Sequence, residues 1–266
     1  MKNIVLAVSI LAASAVSASA ADMAARPYTK APAIVVAPSY SWSGWYVGVN
    51  AGGSWSTTTG DRVAASPTFA PAIAVGQVPN LNAKHDGYFG GGQAGYNWQV
   101  ERLVFGVETD IQGADIGRSN TTVVTPPGLA TTTSTGRDHI DWFGTFRGRL
   151  GFAINNVLFY GTGGAAYGGV KTRASDVATP IAVGSFAGSS SNTRFGWVAG
   201  AGVEWGFAPN WSLKGEYLHI DLGTTNVTAL DPAFPTSFIT YRFRQEMDTF
   251  RLGINYRFGG AVVAKY

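Results

Sequence analysis

From Arg251 to Phe258 the chain reads RLGINYRF, with Leu252, Ile254, Tyr256 and Phe258 alternating with Arg251, Gly253, Asn255 and Arg257. A period of two places side chains on opposite faces of a β-strand, here one apolar and one polar. Seven earlier segments carry the same signal. Residues 44–55 set Trp45, Val47, Val49, Ala51 and Trp55 against Tyr46, Asn50 and Ser54. Residues 87–100 set Tyr88, Ala94, Tyr96, Trp98 and Val100 against Gln93, Asn97 and Gln99. In 103–114, Leu103, Phe105, Val107 and Ile111 oppose Glu108, Asp110 and Gln112. In 138–152, Ile140, Trp142, Phe146, Leu150 and Phe152 oppose Asp141, Thr145, Arg147 and Arg149. The weakest segment, 157–169, has Val157, Phe159, Ala165 and Tyr167 as its favoured apolar face. Residues 194–207 set Phe195, Trp197, Val203, Trp205 and Phe207 against Arg194 and Glu204. Residues 211–222 set Trp211, Leu213 and Tyr217 against Lys214 and Glu216, and the eighth segment is 248–258.

The connections between these segments alternate in length. Short ones contain Glu101-Arg102, Asn155-Asn156 and Pro209-Asn210, pairs with turn-forming chemistry. Long ones, 56–86, 115–137, 170–193 and 223–247, are rich in Thr, Ser, Pro and Gly. Short turns at one end and long loops at the other are the layout of an outer-membrane barrel. Segments of this length suit tilted membrane strands, and an open sheet edge is not tolerated in lipid. The expected fold is therefore all-β: an eight-stranded antiparallel up-and-down transmembrane β-barrel, its long loops outside the cell and both termini periplasmic.

Which face meets lipid follows from the side chains. Trp45, Trp55, Trp98, Trp142, Tyr167, Trp205, Trp211 and Tyr256 fall near segment ends, as aromatic girdles do. The charges Glu108, Asp110, Arg147, Arg149, Arg194, Glu204, Lys214, Glu216, Arg251 and Arg257 lie in the opposite phase. A soluble lipocalin-type barrel would put the aromatic face inside, but eight strands enclose too little space for so many rings. The apolar face is thus expected to point outward and the charges inward. There, Glu108 with Arg147 and Glu204 with Lys214 form expected pairs within an ionic network that fixes the barrel.

Composition narrows the class. The chain has 266 residues, 13% charged, with 35 Gly, 8 Trp and no Cys. The lack of cysteine excludes disulfides and thiolate chemistry, and a net charge of +3 gives no argument for nucleic acid. Residues 1–20, MKNIVLAVSILAASAVSASA, have a positive start, a short apolar run and an Ala-Ser-Ala end. That pattern is a cleaved secretory signal peptide rather than a membrane anchor. Pro27, Pro32 and Pro38 make 21–43 an extended periplasmic arm. The barrel is expected over 44–258, with a short tail at 259–266.

Three stretches, SWSGWYVGVNAGG (41–53), WSLKGEYLHIDLG (211–223) and FRLGINYRFGGAVVAKY (250–266), resemble the small outer-membrane β-barrel proteins of alphaproteobacteria. These are the porin-family barrels related to opacity proteins and to OmpA-like eight-stranded barrels. The resemblance covers essentially the whole mature chain. It implies an integral outer-membrane location in a Gram-negative cell, contact with outer-membrane lipid and lipopolysaccharide, and no cofactor. It also implies that the last strand, through Gly253, Tyr256 and Phe258, is read by the barrel assembly machinery. Residues 259–266 extend past the usual closing aromatic, which leaves Phe258 and Tyr266 as candidates. The break at Gly259-Gly260 favours Phe258.

Little else suggests chemistry. His85, His139 and His219 show no metal-ligand spacing. The glycine-rich stretches lack the Lys-Ser/Thr of a phosphate loop, and no catalytic motif is recognisable. The sequence points to a non-enzymatic structural and surface barrel. A narrow channel for small solutes is the alternative. A second is a binding module whose long loops engage extracellular partners: a host surface, haem or phage.

Overall fold

A computed structural model of the chain describes residues 40–67, 73–74, 76, 80–125, 127, 131–179, 185–232 and 236–258. The expected signal peptide, most of the arm and the tail at 259–266 lie outside them. The described residues form one closed antiparallel barrel in simple up-and-down order. Its strands are β1 (Gly44–Ala65), β2 (Ala83–Val100), β3 (Leu103–Val124), β4 (Thr131–Ile154), β5 (Val157–Thr179), β6 (Ser185–Ala208), β7 (Trp211–Leu230) and β8 (Phe238–Arg257). Pairing of β1 with β8, Val49 opposite Ile254, closes the ring, as lipid requires. At one end, the turn end, the strands are joined through Glu101-Arg102, Asn155-Asn156 and Pro209-Asn210. Glu101 and Asn155 both adopt positive φ there (54° and 55°), which lets so few residues reverse the chain.

The strands run much further than the sequence pattern suggests. The expected loops 56–86, 115–137, 170–193 and 223–247 are largely strand, and the connections at this loop end shrink to 66–82, 125–130, 180–184 and 231–237. The reason is visible along β8. Between Phe250 and Phe258 the outward residues are apolar, while Thr249, Arg251, Gly253, Asn255 and Arg257 point inward. Between Ile239 and Asp248 the chemistry inverts. Ile239, Tyr241, Phe243 and Met247 point inward, and Arg242, Arg244, Glu246 and Asp248 point outward. The period of two never breaks, but beyond the lipid belt the outer face meets water and need not be apolar.

A second departure lies in β4. Register slips between Ile140 and Trp142, a β-bulge that changes which residues face in. Ile140, expected outward with Trp142, is fully buried inside, and Asp141, expected inward, pairs with Lys171 at 2.7 Å on the outside.

The interior is layered. At the turn end Trp42, Val104, Ala153, Leu158 and Tyr160 pack together, joined by Tyr40. Beyond the charged layer lies a second apolar cluster, including Phe89, Ile116, Ile140, Phe143, Leu218, Ile220 and Met247. A third, with Leu81, Phe186, Val227, Ile239, Tyr241 and Phe243, fills the loop end.

Candidate functional site: an ionic layer across the barrel

Inward phase delivers charges from several strands to one level. Register sets Glu108 (β3) opposite Arg147 (β4), and Glu216 (β7) opposite Arg251 (β8). Both pairs form close ion pairs. Arg147 also reaches Asp110 and Glu216, each at 3.0 Å, and Arg251 reaches Asp110 at 3.0 Å. Lys214 lies 2.8 Å from Glu108. Arg149 donates to Glu204 at 2.8 Å and lies 3.7 Å from Glu108. Four carboxylates, Glu108, Asp110, Glu204 and Glu216, thus balance four cations, Arg147, Arg149, Lys214 and Arg251. All eight residues are buried. Such a layer avoids the penalty of lone buried charges only because each group is both paired and hydrogen-bonded.

Neutral groups complete it. The Tyr46 hydroxyl donates to Glu108 at 2.7 Å and accepts from Arg149 at 3.0 Å. The Tyr160 hydroxyl donates to Glu216 at 2.9 Å, and the Arg149 guanidinium stacks 4.0 Å from the Tyr160 ring centre. Two glycines make room for these phenols. A Cβ at Gly202 would meet the Tyr160 ring at 2.6 Å, and one at Gly95 would collide with the Tyr46 ring. Thr145 donates to Asp110 at 2.7 Å and Ser212 to Glu204 at 2.5 Å. Gln93 joins Asn50 and Asn255 at 2.5 and 2.6 Å, and Asn255 donates to Glu204 at 2.9 Å. One connected network therefore takes a side chain from every strand.

Two residues expected here are elsewhere. Arg257 is buried at the turn end, its guanidinium 4.2 Å from the Tyr40 ring centre and 5.4 Å from Trp42. Arg194 lies above the layer, interacting with the buried Asp138. The expected Glu204–Lys214 pair stands in register, yet the two heads turn to Arg149 and Glu108 instead. Tyr46, Tyr160, Thr145, Ser212 and the amides were not singled out from the sequence. Their inward phase beside the charges was the available signal.

The outer wall of the same barrel carries two aromatic tiers. Trp45, Trp98, Trp205, Trp211 and Tyr256 lie near the turn end, where Trp45–Tyr96 and Trp211–Tyr256 meet edge to face. Trp55, Trp142 and Tyr167 form the other tier; there Trp55 packs with Tyr217, and Trp142 with Tyr167. Between the tiers the wall exposes Val49, Ile111, Phe146, Leu150, Leu252 and similar side chains. An exposed apolar belt of this extent on a single closed barrel is a lipid-facing surface. Residues 8–258 match the family model described as outer membrane protein beta-barrel domain. The chain belongs to the outer-membrane β-barrel protein family. It is 35% identical over 270 residues to the 31 kDa outer-membrane immunogenic protein of Brucella melitensis, covering 97% of this chain and 100% of that one. It is 29% identical over 188 residues to the 22 kDa outer membrane protein of Rhizobium leguminosarum bv. viciae, covering 70% and 67%. Among solved structures, Ail of Yersinia pestis aligns at 15% identity over 81% of this chain and 99% of that one, with a TM-score of 0.34. This family member is thus an outer-membrane protein of a Gram-negative bacterium, set among membrane lipids, and the relatives are named as outer-membrane proteins rather than as enzymes.

Proposed function

We propose that this barrel is a sealed structural protein of the outer membrane, without a catalytic role, that contributes to envelope integrity and surface contacts. Its loop end faces outward and its termini the periplasm. Its outer rim meets lipopolysaccharide, and its last strand, with Gly253, Tyr256 and Phe258, presents the signal for the barrel assembly machinery. The observation that carries the reading is the ionic layer itself. A network drawing on all eight strands, with apolar clusters on both sides of it, opposes a continuous water path. A narrow channel would need that path. Swelling of vesicles containing the purified protein tests the choice. Small sugars should enter no faster than into protein-free vesicles; rapid swelling would favour the channel.

A further inference from the structure

The outer wall of β4 and β5 carries a basic quartet just beyond the Trp142–Tyr167 tier. Arg137 pairs in register with Arg173, and His139 with Lys171 in the next row. Gly117, Ser119, Arg137, Asp138, His139, Lys171 and Arg173 line a groove of about 440 Å³, Asp138 itself being buried. Asp141 accounts for part of its charge, contacting Lys171 at 2.7 Å and His139 at 3.1 Å. The two arginines are different. Both are exposed, and among the described residues neither has an ion-pair partner. Like charges directly opposite on neighbouring strands destabilise a sheet. Two arginines without ion-pair partners on directly opposite positions therefore repel each other unless an anion sits between them.

The height of the groove bears on which anion it would meet. Trp142 pairs with Gly169, so Lys171 and Arg173 stand one and two outward positions above the aromatic tier. Two outward positions span roughly 14 Å along a strand, and about 10 Å of depth at the tilt of a membrane barrel. Long arginine side chains reach back toward the interface over part of that distance. Phosphate groups of outer-leaflet lipid lie in this zone, and planar guanidiniums bind phosphate bidentately. Further down the wall, below Tyr167, Phe195 and Trp197, several outward positions of β5 and β6 are small (Gly161, Gly163, Ala165, Ala199 and Ala201), which leaves space for acyl chains there.

The geometry points to Arg137 and Arg173, assisted by Lys171, as a clamp for a phosphate of an outer-leaflet glycolipid such as the lipid A part of lipopolysaccharide. This rests on the outward orientation and lipopolysaccharide contact of the proposed function, and it assigns them a site.

The full-length protein, folded in detergent micelles, tests it. Heat stability and lipid retention are measured with bisphosphorylated lipid A, its dephosphorylated form, inorganic phosphate or a sulfated polysaccharide. The variants are Arg137→Gln/Arg173→Gln and, on the opposite wall, Arg242→Gln. In lipid-free micelles the double variant should be at least as stable as the parent, because repulsion is relieved. With bisphosphorylated lipid A the parent should gain stability and retain lipid. The double variant should retain at least about tenfold less, the loss of charge-assisted hydrogen bonds. Arg242→Gln should match the parent, and dephosphorylated lipid should not distinguish the proteins. Equal lipid A retention by parent and double variant would overturn the clamp while leaving lipopolysaccharide contact standing. No retention by the parent would overturn both. Equal stabilisation by inorganic phosphate would make this a free-anion site, and binding of the polysaccharide alone would make it a glycan site; either overturns the lipid assignment.

Discussion

Replacing Glu108 by Gln perturbs the ionic layer at its most connected point. The carboxylate pairs closely with Arg147, receives Lys214 at 2.8 and 3.0 Å, and lies 3.5 Å from Arg251 and 3.7 Å from Arg149. It also accepts the Tyr46 hydroxyl at 2.7 Å. The amide keeps one acceptor oxygen but turns two donors toward a crowd of donors, and it leaves the layer one positive charge in excess. Breaking a buried pair by removing one partner costs about 3–5 kcal/mol. The surviving oxygen places this change near the lower end, about 3 kcal/mol, a large share of the ~5–15 kcal/mol typical of a folded protein. Lys214→Met should cost a similar amount, since it takes one cation from Glu108 and leaves the layer one negative charge in excess. Together the two changes restore neutrality, so the double variant should lose less than the sum by about 1–3 kcal/mol. Urea titrations of the barrel in lipid vesicles, followed by the gel mobility difference between folded and unfolded protein, give all three values. Single losses under about 1 kcal/mol that simply add would refute a coupled layer.

Further tests address other parts of the molecule. Val49→Arg, at mid-depth of the apolar belt, should cost about 2–4 kcal/mol, whereas Thr57→Arg, just beyond Trp55 on the same strand face, should cost about 0–1; equal losses in the same titration would misplace the belt. Trp42→Ala empties a fully buried site at the turn end and should cost about 3–5 kcal/mol, with no loss showing that the cluster around Trp42 does not hold that end closed. Asp176 lies above the belt, where burial pushes its carboxyl up, only partly offset by the Tyr241 hydroxyl donating at 3.2 Å. The folded state then binds the extra proton, so stability falls as pH rises through the raised value. Asp176→Asn should gain stability over the parent at neutral pH and lose that advantage below the ordinary carboxylate range; a pH-independent difference contradicts this. Single cysteines at Thr133 or Ser190 should react with impermeant reagents on intact cells and one at Asn156 should not; the reverse pattern would invert the orientation.

Much of the fold was legible because lipid imposes one rule on the outer wall. From Trp45 to Trp55, every second residue had to suit hydrocarbon or its interface, and the inward residues could then be read off by phase. The upper barrel escaped that reading because its constraint is different. Along 239–247 the apolar residues are inside, Thr and Arg are outside, and a search for an outward apolar stripe stops at Phe250. Ile140 was misassigned because a bulge leaves no mark in a period-two pattern: one extra residue at Asp141 reverses every position beyond it. In the ionic layer, phase sufficed to place Glu108, Arg147, Arg149, Lys214, Glu216 and Arg251 indoors. Choice of partner did not follow, because it depends on side-chain reach across the lumen. Arg149 bypasses its strand neighbours to meet Glu204, two strands away, and Lys214 crosses to Glu108.

Single-channel recording in planar bilayers tests the sealed-barrel reading most directly. The unmodified protein, inserted and shown to be folded, should give no steady conductance, because current must cross a layer in which eight buried charges are mutually paired. Glu108→Ala, which unpairs that layer, should give brief openings or an unstable barrel. A large, steady conductance from the unmodified protein, unchanged by Glu108→Ala, would contradict the account and make the barrel a channel.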